Sequence, residues 1–166
     1  MVHPLIKASN AGYIVDVDRQ IRDGADINIL NAHGETPLDR AVSAGHTGIV
    51  ALLLAKGAKS GKKNGIDGLL HSAAFAGFSD ISALLIHYGA NIHSREDNGI
   101  SVLHQAVHEV WATLTRGHRY VIQLLITHGI DINVRDAEGR TPLSWVLDGK
   151  DRENAIKLIK DLGGVI

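Results

Sequence analysis

Histidine is the residue type with the greatest capacity for chemistry in this sequence, since its 166 residues include ten histidines and no cysteine. His104 and His108 are four residues apart, so their side chains would lie on one face of a helix. His71 and Glu109 could join them, because two histidines and a carboxylate can bind zinc. One hypothesis is therefore a histidine-dependent metal-binding protein, or a binding protein that responds to pH as its histidines titrate.

Known catalytic motifs are missing from the sequence. His108-Glu109 lacks the second histidine of a zinc-peptidase helix, and there is no G-x-S-x-G turn, phosphate-binding loop or dinucleotide fingerprint. The lack of cysteine also excludes thiolate nucleophiles and thiolate metal ligands. We expect a protein that is not an enzyme, with no catalytic residues, no resident metal ion and no cofactor.

Charge and composition argue against several classes of partner. Lys and Arg number 17 and Asp and Glu 18, and a net charge of −1 gives no reason to expect nucleic acid or an anionic membrane as a partner. Lysines 56, 59, 62 and 63 cluster without interleaved aromatic residues, which is more typical of a solvated loop than of a nucleic-acid site. No apolar run approaches the ~20 residues of a membrane-spanning helix. Because the absence of cysteine fits a reducing compartment, we expect a cytoplasmic protein.

The elements that would position these side chains are set by an internal repeat. Glycines recur at spacings of 33, 32, 40 and 34 residues, at Gly24, Gly57, Gly89, Gly129 and Gly163. A second series lies about half a period away and includes all three prolines of the chain. Its members are Pro4-Leu5, Thr36-Pro37-Leu38, Leu69-Leu70-His71, Val102-Leu103-His104 and Thr141-Pro142-Leu143.

Each repeat unit reads as a pair of short helices. In the second unit Thr36 is a good N-cap and Pro37 is suited to the first helical position. A break at Gly45 separates this helix from a second, apolar helix over residues 49–54. Gly57 follows the second helix at the position where a residue in the left-handed conformation, usually glycine, ends a helix. One such pair cannot bury its apolar face alone, so we expect five pairs to stack into a continuous core.

The second unit, GETPLDRAVSAGHTGIVALLLAKGA, resembles the ankyrin repeat, and the resemblance extends over residues 2 to 166. It implies an all-α solenoid of stacked antiparallel helix pairs, with a projecting β-hairpin loop at each junction and no intrinsic catalysis. The whole chain would be a single domain. Its repeats would span approximately residues 1–30, 31–63, 64–95, 96–135 with a seven-residue insertion near 110–116, and 136–166.

Departures from the repeat pattern carry their own expectations. In the first unit Arg19 and Gln20 stand at the positions of two leucines of the second unit, and in the last unit Lys160 stands at the position of a third. Polar residues at these positions are typical of terminal capping repeats, so we expect a stand-alone stack of five repeats. Gly68-Leu69 replaces Thr-Pro in the third unit, so its first helix should start less sharply.

The resemblance also offers a structural interpretation of four histidines. It implies that His71 and His104 form hydrogen bonds at the base of the loops, and that His46 and His118 occupy a position after the inter-helix glycine where histidine is common. This interpretation is favoured over a metal site.

The resemblance further implies a binding surface on the loop tips and on the exposed, concave face of the first helix of each pair. The candidate partner-binding residues are His33, Glu35, Ser43, Asp67, Phe75, Asn98, Ile100, His108, Glu109, Arg140 and Asp148. Phe75 is either an anchor for a partner or packs against Phe78. Trp111, in the insertion, is either a second anchor or a plug that holds the longer loop.

The main functional hypothesis is a non-catalytic protein–protein interaction module, monomeric when free. It would act as an adaptor, or as an inhibitor that occludes a single protein partner, including an immunity-type protein that covers the active site of a toxin or enzyme. The alternative is the histidine-dependent metal-binding or pH-responsive protein described above.

Overall fold

The computed structural model describes residues 3–108, 115–147 and 153–164, and these form helices joined by short turns. No helix among them is both long and apolar enough to cross a membrane. In chain order the α-helices are α1 (Pro4–Ala11), α2 (Ile14–Arg22), α3 (Pro37–Ser43), α4 (Thr47–Ala55), α5 (Gly65–Phe75), α6 (Ser79–His87), α7 (Val102–His108), α8 (Arg116–Thr127), α9 (Pro142–Leu147) and α10 (Glu153–Asp161).

The helices form two layers, in agreement with the predicted all-α solenoid. The odd-numbered helices pack in order, each against the next, from α1 to α9, and these are called the inner helices here. The even-numbered outer helices follow the same order from α2 to α8, and each helix pair is also packed internally. Every repeat therefore contacts mainly its neighbours, as expected of a solenoid.

The predicted start of the first helix of the second unit is confirmed, and the second helix, expected over residues 49–54, spans Thr47–Ala55. The Thr36 hydroxyl accepts a hydrogen bond from the Asp39 backbone N–H, and the Asp39 carboxylate accepts one from the Thr36 N–H, while Pro37 occupies the first turn. This reciprocal capping box satisfies two backbone donors that the helix itself leaves unpaired. Gly45 and Gly57 have φ values of +74° and +79°, so each ends its helix in the left-handed region.

The core lies between the two layers and is built from equivalent positions of successive repeats. The leucine equivalent to Leu38 is at most 1% exposed in every inner helix; the five residues are Leu5, Leu38, Leu70, Leu103 and Leu143. A second column runs along the outer helices through Leu53, Leu85, Leu125 and Ile159, all of them fully buried. The first unit has Gln20 at this position, as its sequence indicated.

The less sharp start expected for the first helix of the third unit is found: α5 begins at Gly65, four residues before Leu69, with no side-chain cap. Without a proline at Gly68-Leu69, no residue there disfavours helical backbone upstream. One local expectation differs from the structure. Arg116, assigned to the insertion, is instead the first residue of α8, because Thr115 caps that helix by accepting a hydrogen bond from the His118 N–H. Thr115, also assigned to the insertion, is this N-cap, and the predicted insertion residues 110–114 lie outside the described part of the chain.

The loops between repeats are tight turns, and paired strands are not found in the described ranges. In place of the expected β-hairpins, the described loops contain one isolated antiparallel bridge, between Arg95 and Ser101. Asn31 shows why a short turn is stable, because its side-chain oxygen accepts hydrogen bonds from the N–H groups of His33 and Glu35. The side chain thus takes backbone donors that a longer hairpin would pair with a second strand.

Candidate functional site

Buried polar side chains at one position of the inner helices tie the second, third and fourth repeats to the loop that follows each. Asp39 accepts hydrogen bonds from the Ser60 hydroxyl at 2.5 Å and the Gly61 N–H at 2.9 Å. His104, at the equivalent position, is fully buried; its Nε2 lies 3.0 Å from the carbonyl oxygen of Arg140 and its Nδ1 2.8 Å from the Ser101 hydroxyl. These contacts match the structural role that the sequence favoured for His104.

His71 occupies the same position in the third repeat but is less completely bonded. Its Nε2 lies 3.1 Å from the Ser94 hydroxyl, and the residue is only 2% exposed. Its Nδ1 has no hydrogen-bond partner within the described ranges, and the nearest carboxylate oxygen, from Glu96, is 3.9 Å away. Burial lowers the pKa of His71, and the nearby Glu96 carboxylate, which acts to raise that pKa, only partly offsets the effect of burial.

Two further histidines join the outer helices to the preceding repeat. The Nε2 atom of His46 lies 3.0 Å from the carbonyl oxygen of Asn10, and that of His118 lies 3.0 Å from the carbonyl oxygen of Phe75. These bonds are again the structural role expected from the sequence.

The histidines considered as zinc ligands, His71, His104 and His108, all lie in the described ranges. Within the described ranges no group of three or more histidines and carboxylates is placed to hold a metal ion. Glu109, the carboxylate predicted to join His104 and His108, lies outside the described residues.

Aromatic side chains form a row along the exposed side of the inner helices. The ring of Phe75 lies 5.5 Å from that of His108, which lies 5.5 Å from that of Trp145. The centroid distance between His104 and Trp145 is 5.0 Å. All these distances fall within the range of favourable ring contacts. Phe75, His108 and Trp145 are half-buried, so the row combines a fixed position with accessible apolar surface.

Trp145 is held in place by a charged network in the fifth repeat. Its indole N–H donates to the Asp136 carboxylate at 2.9 Å, and the Arg140 guanidinium lies 5.2 Å from the ring centroid. Arg140 also pairs with Asp136 at 2.9 Å. Burial acts to raise the pKa of Asp136, but hydrogen bonds from Arg140, Trp145 and the Glu138 N–H lower it to about 2.

A shallow groove of about 450 Å³ lies beside the aromatic row, between the second and fourth repeats. Ser43, Phe75 and Phe78 contribute to its walls, and it has no Lys or Arg among its lining residues. Glu96 and His71 are its titratable groups, and the Gln105 amide donates a hydrogen bond to Glu96 at 2.6 Å. The groove therefore combines aromatic surface with a carboxylate that is partly exposed.

The structure brings together only some of the predicted site residues. Ser43, Phe75 and His108 share one face of the inner helices, where Phe75 contacts the ring of His108; Phe78 packs over Gly45. His33 and Asn98 are exposed at separate loop tips. Glu109, Trp111 and Asp148 lie outside the described residues.

The remaining predicted residues lie in the loops, except Asp67, which lies in the first turn of α5, and they participate in bonds or packing there. Glu35 pairs with Arg40 at 3.4 Å, and the Asp67 carboxylate accepts a hydrogen bond from the Asn91 N–H at 2.8 Å. Ile100 is half-buried beside the Arg95–Ser101 bridge, and Arg140 stacks on Trp145.

Sequence reasoning missed Trp145, Asp136 and Glu96. Trp145 occupies the position of Arg40 in the second repeat and of Gln105 in the fourth. This position is one helical turn before the one expected to face a partner, which is occupied by Ser43, Phe75 and His108 in the second to fourth repeats. A usable signal was its rarity, because the chain has only two tryptophans and 4% aromatic residues.

Comparison with known proteins identifies the same repeat. Ankyrin repeats in a three-copy form match residues 70–164, and a single ankyrin repeat matches residues 33–64. Rabankyrin-5 of Homo sapiens is 31% identical over 96 residues, which are 57% of this chain and 8% of that protein. Alpha-latrotoxin-Lg1a of Latrodectus geometricus is 31% identical over 134 residues (78% of this chain, 9% of the toxin). Inversin of Canis lupus familiaris is 35% identical over 152 residues, which are 89% of this chain and 13% of that protein. The chain therefore spans a small fraction of the length of each of these relatives.

Proposed function

The chain belongs to the ankyrin repeat family, whose repeats form protein–protein interaction modules, and from this premise we propose that it binds one protein partner and blocks a functional surface of that partner. The contact surface would be the exposed side of the inner helices, from Ser43 through Phe75 and His108 to Trp145. The family is typically a non-catalytic scaffold, so the proposed activity is occlusion. Monomeric behaviour of the free chain and a cytoplasmic location form part of the proposal.

The observation that carries this proposal is the aromatic row Phe75–His108–Trp145. Interfaces draw most of their binding energy from a few anchors, among which aromatic residues and arginine are enriched. Here three half-buried rings adjoin one another at 5.5 Å, and Arg140 flanks the last of them. Because helix packing already orders these rings, a partner would pay little conformational entropy to contact them.

The outer face of the solenoid provides a useful contrast. Tyr120 on the outer helix α8 is 51% exposed, and no aromatic ring of the described residues stacks against it. Its side chain is comparable in size to that of Phe75 but lies on the opposite layer. Replacing it tests whether loss of any exposed ring weakens binding.

The experiment is an affinity capture from the native cell with tagged full chain, Phe75→Ala/His108→Ala and Tyr120→Ala, each checked for helical content by circular dichroism. We expect one stoichiometric partner with the wild type and Tyr120→Ala, and its loss with the double variant. With the purified partner, Phe75→Ala should weaken binding by about thirtyfold, the effect of a typical anchor residue. Retention of the partner by the double variant would overturn the proposed surface.

A second assay separates occlusion from an adaptor role. The purified chain is added to the partner, and the partner's own activity is measured. Inhibition at one equivalent supports occlusion. Unchanged activity, together with recruitment of a second protein, would show an adaptor instead.

A further inference from the structure

The loops that begin the second, fourth and fifth repeats differ in whether a guanidinium of the same repeat pairs with the loop carboxylate. The loops that begin the second, fourth and fifth repeats share one register, with residue 31 equivalent to 96 and 136, residue 35 to 100 and 140, and residue 40 to 105 and 145. Their backbones agree, because N–H of the first member bonds to the carbonyl of the second in each: Asn31 to Glu35, Glu96 to Ile100 and Asp136 to Arg140.

In two of these repeats the chain supplies its own guanidinium. In the fifth, Arg140 pairs with Asp136 at 2.9 Å and stacks over Trp145. In the second, Arg40 pairs with Glu35 at 3.4 Å and also donates to the Asn10 side chain at 2.7 Å. Both repeats thus place a cation beside the loop carboxylate at the inner-helix face.

The fourth repeat keeps the carboxylate but lacks the guanidinium. Ile100 stands where the fifth repeat has Arg140, and Gln105 stands where the second has Arg40. Within the described ranges no Lys or Arg lies within 4 Å of the Glu96 carboxylate. The Arg95 side chain turns away and donates to the backbone carbonyls of Gly99 and Arg135.

The groove beside Glu96 provides further groups for a planar cation. Phe75 and His108 adjoin each other at 5.5 Å, and Phe75 lines the groove with Glu96, so an aromatic face is available where the fifth repeat uses Trp145. His71, 2% exposed, lines the same groove and contributes the unbonded Nδ1. If its Nε2–H donates to the Ser94 hydroxyl, Nδ1 presents a lone pair that can accept an N–H from a ligand.

We infer that the groove formed by His71, Phe75, Glu96 and Gln105 is a recognition site for a guanidinium group, and that the protein partner inserts an arginine side chain there. The inference rests on the proposed function, since it names the chemistry by which that same surface selects its partner. A guanidinium can pair with Glu96 through two N–H groups while it lies on an aromatic ring, which lysine cannot do.

The test uses N-acetyl-L-arginine amide as the probe and ¹⁵N-labelled full chain observed by NMR at neutral pH. We expect saturable shifts of the backbone amide resonances of Ser72, Phe75 and Gln105, with a dissociation constant in the millimolar range, as befits a ligand of this size. N-acetyl-L-citrulline amide has nearly the same shape without the charge and should cause no saturable shift.

Three variants make the test specific. Glu96→Gln keeps the size of the side chain but removes its charge, and should weaken probe binding at least tenfold. Ile100→Arg supplies the guanidinium that the fifth repeat has, and should abolish probe binding by filling the site. Ile100→Gln is its uncharged control and should bind the probe as the wild type does.

The inference is overturned if the probe causes no saturable shift, if citrulline binds as well as arginine, or if Glu96→Gln responds as the wild type does. These outcomes are independent of the partner-capture experiment. If the probe binds the wild type while Phe75→Ala/His108→Ala still captures the partner, the guanidinium site is upheld and the proposed interface is rejected. If the double variant loses the partner while the probe does not bind the wild type, the interface is upheld and the guanidinium site is rejected.

Discussion

The Nε2 atom of His118 lies 3.0 Å from the carbonyl oxygen of Phe75, so a residue of the fourth repeat's outer helix holds the end of the third repeat's inner helix. His118 is 5% exposed, and its Nδ1 lies 2.7 Å from the Thr115 hydroxyl. The histidine thus links three features: the cap of α8, the packing between repeats and the backbone that carries the first ring of the aromatic row.

His118→Ala should therefore destabilise the solenoid. The substitution leaves the Phe75 carbonyl without this donor and removes a ring that packs on Gly77, and each such loss costs about 1–3 kcal/mol. Urea unfolding followed by circular dichroism measures the change in free energy. His33→Ala, at an exposed loop position, is the control and should stay within about 0.5 kcal/mol of the wild type. Equal stability of the two variants would show that this bridge contributes nothing.

The stability of the protein should fall on mild acidification because of His104. Burial lowers the pKa of His104 below the ordinary value of 6.5, whereas in the unfolded chain that ordinary value applies. The unfolded state therefore takes up the proton first as pH falls below about 6.5, and stability present above that pH is progressively lost. His71 is shifted in the same direction and should add to the effect.

Urea midpoints at about pH 7.5 and pH 5.5 measure this dependence. His104→Gln cannot titrate, so it should be less stable at neutral pH but lose less on acidification. An unchanged pH dependence in His104→Gln would contradict the assignment to this residue.

The start of a capped helix could be predicted from the sequence because the signal is local. The start of a helix without such a cap could not. Thr36-Pro37 places a cap and a fixed φ within two residues, so the start of α3 follows from sequence alone. Gly68-Leu69 has neither, and the start of α5 depends on how far the helix extends upstream before the turn intervenes.

The site residues show the same limit in another form. Phe75 and His108 could be placed on one face by repeat register. The contact of His108 with Trp145, and the unneutralised carboxylate of Glu96, depend on distances between repeats. No local pattern encodes those distances.

Asp136→Asn should destabilise the fifth repeat by about 1–3 kcal/mol, because an amide cannot replace the carboxylate toward Arg140 and Trp145 together. The pKa of about 2 also gives a pH signature. The carboxylate stabilises the fold above its ordinary pKa of 3.8, and that contribution is lost as pH falls from about 4 toward 2. Acid unfolding of the variant should lack this component.

Glu138→Gln is the matched control for Asp136→Asn. Glu138 also pairs with Arg140, at 3.0 Å, but its side chain is 67% exposed. An exposed ion pair contributes less than about 1 kcal/mol, so this variant should unfold nearly as the wild type does. A larger loss for Glu138→Gln than for Asp136→Asn would refute the central role of the buried carboxylate.

Two helical glycines should respond to alanine in opposite directions. A Cβ atom at Gly117 in α8 would overlap the carbonyl oxygen of Gly77, and backbone cannot yield as a side chain can. At Gly48 in α4 the nearest atom to a new Cβ is the terminal methyl carbon of Ile14, 3.3 Å away, which can move slightly. Gly117→Ala should thus cost about 1–3 kcal/mol or more by overpacking, whereas Gly48→Ala gains up to about 1 kcal/mol of helix propensity. Thermal unfolding of both variants measures the difference, and a stabilised Gly117→Ala would mean that α8 does not approach Gly77 as closely as described.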